Sequence, residues 1–234
     1  MCALASGLVQ SRLRELSLDD TACGDAGAVA LAAQLPGCSL ARLSLARCGV
    51  GAAGAAALGR ALAEGGPEGG GAALERLCLA GNQALGDAGA AALAAAALQE
   101  LDLGACGVGS AGADALLGPQ AAFTRLVLFA NPLTQLGAQL GAPRLAALDV
   151  SGTRLDAAAL ARLAQALHHG AAPMLATLEV GATPATLEQG WEETLATLRE
   201  ARPGLDVAWR PADPGEERGV TGPPDRERRT ASDE

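Results

Sequence analysis

Residues 98–112 read LQELDLGACGVGSAG, and residues 13–27 read LRELSLDDTACGDAG. Both place leucine at the first, fourth and sixth positions and follow it with a run of small residues. Laid over the whole chain, this LxxLxL frame gives seven copies, which begin at Leu13, Leu40, Leu74, Leu98, Phe123, Leu145 and Leu175. Their fourth places hold Leu16, Leu43, Leu77, Leu101, Leu126, Leu148 and Leu178. An eighth, partial copy, GLDVAW, offers Leu205 and Val207 for the two core places. A repeat of this kind governs every other reading of the chain.

Within each copy the apolar residues alternate with period 2, as in a strand with one buried face. A small polar residue or a cysteine then recurs at Thr21, Cys48, Asn82, Cys106, Asn131, Thr153 and Thr183. Its recurrence predicts a backbone-bonding role inside the turn. Stretches such as DAGAVALAAQL and DAAALARLAQAL follow, with leucines three and four apart, as in a helix. Parallel strands need a crossover of a dozen or more residues, and these stretches supply one. One such unit cannot bury its own apolar face, so neighbours must bury it for one another.

The pattern resembles the leucine-rich repeats, specifically the ribonuclease-inhibitor-like type, in which each repeat is one strand and one helix. The resemblance implies an α/β solenoid: a right-handed βα horseshoe with a parallel sheet on the concave face and helices on the convex face. The solenoid is expected over residues 1–210, as about seven repeats plus a final partial strand. Residues 211–234, rich in Pro, Gly and charge, are expected to form a disordered tail. At the other end, ALASGLVQS (3–11) reads as the last helix of a repeat whose strand is absent, so the N-terminal cap is missing.

The copies also differ in ways that predict local structure. GNQALGDAG in the third carries one extra residue, a bulged turn, and EGGPEGGG (64–71) predicts a mobile convex loop. The fifth copy has only TQLGAQLGAP after its strand, too short for a regular helix. The seventh predicts Thr183 as an N-cap, Pro184 in the first turn, and Leu187, Trp191, Leu195 and Leu198 on one helix face. Gly27, Gly54, Gly89 and Gly112 suit either close approach of helix to sheet or a turn.

Composition narrows the chemistry. The chain has 234 residues, half of them hydrophobic but only 2% aromatic, and all 17 basic residues are arginine. Without lysine there is neither a Schiff-base amine nor the lysine of a phosphate-binding loop. A net charge of −9 argues against nucleic acid as a partner. No apolar run approaches the ~18 residues of a membrane span. The six cysteines form no CxxC, which favours a reducing compartment, the cytoplasm or the nucleus. His168 and His169 diverge at a helix end, so no metal, cofactor or catalytic triad is expected.

Binding potential lies instead on the outward strand positions. The residues between the two core places read Ser17, Ser44, Cys78, Asp102, Val127, Asp149, Glu179 and Asp206. The column two residues further on is small except for Asp19 and Phe129. Phe129 with Val127 is therefore the expected centre of a partner site, flanked by Asp102, Asp149 and Glu179 and tempered by Arg125. These residues predict a non-catalytic module that binds a protein with a basic surface on an acidic concave face. The alternative, from another class, resembles the GTPase-activating protein for Ran, built on the same repeats, with a small GTPase as partner.

Overall fold

A computed structural model describes residues 11–64, 74–136, 140–187 and 191–208. Eight three-residue strands form one parallel sheet in strict chain order. They are β1 (Glu15–Ser17), β2 (Arg42–Ser44), β3 (Arg76–Cys78), β4 (Glu100–Asp102), β5 (Arg125–Val127), β6 (Ala147–Asp149), β7 (Thr177–Glu179) and β8 (Asp206–Ala208). The register aligns Leu16, Leu43, Leu77, Leu101, Leu126, Leu148 and Leu178 in a single row. All but the first are at most 2% exposed. Leu16, on the first edge strand of the described sheet, is only half-buried.

Helices fill most of the connections: α1 (Gly24–Ala32), α2 (Ala52–Glu64), α3 (Gly86–Leu93), α4 (Ser110–Leu116), α5 (Ala157–His168), α6 (Pro184–Leu187) and α7 (Trp191–Ala201). The best formed is α5. Asp156 caps it by accepting the Ala159 N–H at 2.7 Å, and Leu160, Leu163 and Leu167 carry its buried face. Between β5 and β6 the described residues contain no helix, as the short connection requires. Each of α1 to α4 touches its neighbour, and α5, α6 and α7 touch one another, but no helix of the first group meets one of the second among the described residues.

The recurring polar position is a backbone clamp. Asn82 Oδ1 accepts the N–H of Cys48 and Val50 (3.0 and 2.9 Å), while its amide donates to the carbonyls of Leu45 and Leu79. Asn131 does the same one repeat-pair later, accepting from Cys106 and Val108 and donating to Leu103 and Leu128. Cys48 and Cys106 donate their thiols to Leu18 and Leu79 O, and Thr21 and Thr153 bond the carbonyl three residues back. Every turn groups buried backbone atoms that water cannot reach, so each must find a partner inside the protein.

Several expectations change. Thr183 stands at the N-cap position, directly before α6, but its hydroxyl turns back to donate to Val180 O at 3.2 Å, like the threonines of other turns. Trp191 and Leu198 are buried on α7 and Leu195 is half-buried, whereas the Leu187 side chain lies outside the described residues. Gly54 and Gly112 approach the preceding helix, not the sheet. A Cβ there would stand 2.7 Å from Asp25 Oδ1 and 2.6 Å from Asp87 Oδ1 respectively.

The eighth strand is shifted by two residues from the LxxLxL reading. Val207, not Leu205, pairs with Leu178, so Ala208 rather than Asp206 continues the column of Glu179. The chain leaves α7 held by Arg202, whose guanidinium donates to the carbonyls of Leu167, Ala171 and Ala172 around the end of α5. The turn from Arg202 to Leu205 delays the strand until Asp206 N–H reaches Ala176 O at 2.8 Å. The segment 3–10, most of the glycine-rich loop and the tail 211–234 lie outside the described residues.

Candidate protein-binding face

The register brings the expected site together. Asp102, Val127, Asp149 and Glu179 stand side by side on β4 to β7. At the adjacent strand spacing of about 4.8 Å, they form one row. Arg125 stands two residues before Val127, on the same face, and reaches across β6, over Ala147, to Glu179 at 4.0 Å. The row of residues before the core leucines pairs charges likewise, Arg42 with Glu15 at 3.2 Å and Arg76 with Glu100 at 3.3 Å. These side chains are 36–67% exposed, where an ion pair contributes at most ~1 kcal/mol. The face thus carries mixed charge, and Asp102 and Asp149, which make no ion pair among the described residues, flank Val127.

Two of those carboxylates also hold the backbone. Asp102 Oδ1 accepts the Gly104 N–H at 2.9 Å, and Asp149 Oδ1 accepts that of Ser151 at 2.8 Å. Each bond spans two residues and supports the turn just beyond the strand. Burial raises the Asp102 pKa above its ordinary value, and the nearby Asp149 charge adds to the rise, against the lowering effect of the Gly104 N–H and of Arg125. Next to it, burial and the Asp102 charge push the Cys78 thiol up to about 11. Cys78 Sγ lies 3.6 Å from Asp102 Oδ2.

Phe129 is 37% exposed at the end of β5. Its column neighbours are Gly104 and Ser151, and its ring leans toward the next turn, where a Cβ on Gly152 would meet Cε2 at 3.3 Å. The other phenylalanine, Phe123, is fully buried. His168 and His169 are exposed with ring centroids 5.7 Å apart, and among the described residues no three His, Cys, Asp or Glu side chains converge as metal ligands. The five described cysteines are free thiols. No described helix is long and apolar enough to cross a membrane.

Sequence reasoning missed two features. One is a set of forward caps, in which Asp25, Asp87 and Ser110 bond backbone N–H groups of the following repeat. The other is a trough beside Phe129, between Gln83 and Arg154. The trough could have been sought by aligning the column one step past the polar turn position, which reads Ala22, Gly49, Gln83, Gly107, Pro132, Arg154 and Pro184.

A family model described as a leucine-rich repeat matches residues 38–59, 74–94 and 97–117. No curated protein matches the sequence. Among solved structures, a chain of the Rad7 and Elc1 complex in yeast is similar at 18% identity with a TM-score of 0.46. The alignment covers 80% of this chain and 38% of that one, so this chain spans well under half the length of that relative. Three matched repeats, within a ladder of eight parallel strands of which seven align a leucine in one row, show leucine-rich repeats folded as an open α/β solenoid.

Proposed function

We propose that the chain is a protein-binding module whose concave sheet face, centred on Phe129 and Val127, holds a partner with a basic surface. The observation that carries this reading is Phe129 itself. A large aromatic ring stands exposed on a face whose neighbouring positions are glycine and serine, in a chain with only two phenylalanines. Burying such a ring supplies much of an interface's affinity, whereas the charges around it contribute mainly orientation and association rate. Asp102, Asp149 and Glu179 give the surrounding negative field, and Arg125 offsets part of it beside Glu179.

Affinity capture from cell extract identifies the partner, and binding of variants then locates the surface. Phe129→Ala is expected to weaken binding at least tenfold, chiefly through faster dissociation. Asp102→Arg with Asp149→Arg is expected to slow association and reduce its salt dependence. Folded variants that both bind like the unaltered chain place the partner elsewhere and end this reading.

A further inference from the structure

A trough of about 430 Å³ crosses the loop edge of the sheet, beside but distinct from the concave row. Its two ends are long polar side chains, Gln83 and Arg154. Between them the lining is shorter: Ala105, Gly107, Ala130, Asn131, Pro132 and Gly152. These positions belong to four successive turns, so the distance from Gln83 to Arg154 is three strand spacings, roughly 14 Å. That length accommodates about four residues of extended chain. The floor is firm, because the Ala105, Ala130 and Gly152 N–H groups already bond the carbonyls of Phe129, Ser151 and Gly181 at 2.7–2.8 Å.

The ends differ from the floor in being unspent. Among the described residues neither the Arg154 guanidinium nor the Gln83 carboxamide makes a hydrogen bond or an ion pair. Asp156, the acid nearest Arg154 in sequence, is occupied in capping α5. A guanidinium is matched to a carboxylate by its fork of parallel donors, and a carboxamide donates and accepts as a peptide group does. Arg154 is the sole cation lining the trough of a chain with net charge −9, which suits a single negative charge rather than the two of a phosphate. Beyond Arg154 the same column continues to Pro184, so the chain of a ligand can run on past the guanidinium.

We infer that this trough binds an extended peptide segment carrying an internal Asp or Glu, with the acid on Arg154 and the segment's backbone on Gln83. The proposal does not rest on the concave-face reading, since a peptide can occupy the trough whatever binds at Phe129.

The test is an amide-shift NMR titration of the full chain with the probe Ac-Ala-Ala-Ala-Glu-Ala-NH2 and its glutamine counterpart. Saturable shifts are expected at Ala105, Gly107, Ala130, Gly152 and the Arg154 Nε–H, with the glutamine peptide about tenfold weaker. Arg154→Gln should erase that preference, and Gln83→Ala should weaken both peptides alike. Both residues are solvent-facing in the trough, and a circular dichroism spectrum checks that the variants fold. Val127→Ala, on the concave row, should leave this binding unchanged even where it alters partner binding. Absence of saturable shifts, equal affinity for the two peptides, or a preference that survives Arg154→Gln overturns the proposal.

Discussion

Asp87 belongs to one helix and caps the next: its Oδ1 accepts the N–H of Gly112 at 3.0 Å and that of Gly109 at 2.6 Å, across the boundary between repeats. Asp25 holds Gly51 and Gly54 in the same way at 2.7 and 2.9 Å. Helix starts expose unpaired donors and a partial positive charge, and here a carboxylate from the preceding repeat answers both. Gly112 makes room for it, because any Cβ would collide with the accepting oxygen.

Replacing Asp87 by Ala should therefore destabilise the chain by ~0.5–2 kcal/mol, the range of a lost N-cap. Urea denaturation reads the change. A distinguishing sign is faster amide exchange in α4, the capped helix, rather than in α3, which carries the residue.

Asn131 joins five backbone groups from two turns. Asn131→Ala leaves the Cys106 and Val108 N–H groups without a partner in a buried setting, at a cost of about 2–4 kcal/mol. Asn131→Asp keeps the accepting oxygen but loses the donated bonds to Leu103, Leu128 and Phe129 and buries a charge, so it should be no better than alanine at neutral pH. Chemical denaturation of the two variants side by side checks both expectations.

Asp102 gives a pH-dependent case. Its pKa is raised in the folded chain, so the unfolded chain releases the proton first as pH rises. Ionised Asp102 then lowers stability above the unfolded value of about 3.9, and the loss is complete above the folded pKa. Asp102→Asn keeps an oxygen for the Gly104 N–H and removes the buried charge. The variant is expected to be more stable than the parent at pH 7, and the gap should close as pH falls to about 4. A gap that widens on acidification would show that the carboxylate stabilises the fold.

Thiol reactivity should follow burial. Desolvation pushes Cys106 up to about 12 and Cys78 up to about 11, so almost no thiolate exists at either near neutral pH. Iodoacetamide labelling of the folded chain, read by peptide mass spectrometry, is expected to modify Cys38 well before Cys78 and to spare Cys106 until the chain unfolds. Early loss of Cys106 would mean that its turn opens locally.

The strands were legible because burial writes itself on a strand with period 2, and seven leucines in one register cannot be mistaken for chance. The same property explains the error at β8. A slip of two residues keeps every side chain on its original face, so Leu205 and Val207 satisfy either register and only the Arg202 anchor decides between them. Phe129 and its acidic neighbours were legible for the same reason as the leucines. The caps by Asp25 and Asp87 were not, since their partners lie 22 to 29 residues away and no local pattern marks an acceptor that serves another repeat. The trough was hidden because it depends on what stands short between two long side chains, a property of columns rather than of any one copy.

Among the described residues the helical layer is interrupted at the β5–β6 connection, while the sheet runs through without a break. Mechanically the molecule is a continuous ribbon backed by two separate stiffeners. Bending that would have to shear packed helices elsewhere meets at this joint an irregular connection, seated in the core by Leu133, Leu136 and Leu140 and bonded through Gly141 N–H to Leu117 O. Phe129, Asn131 and the trough all sit at the joint, so a ligand laid across β4 to β6 would act as a splint, and its binding would be felt as a loss of flexing between the two halves.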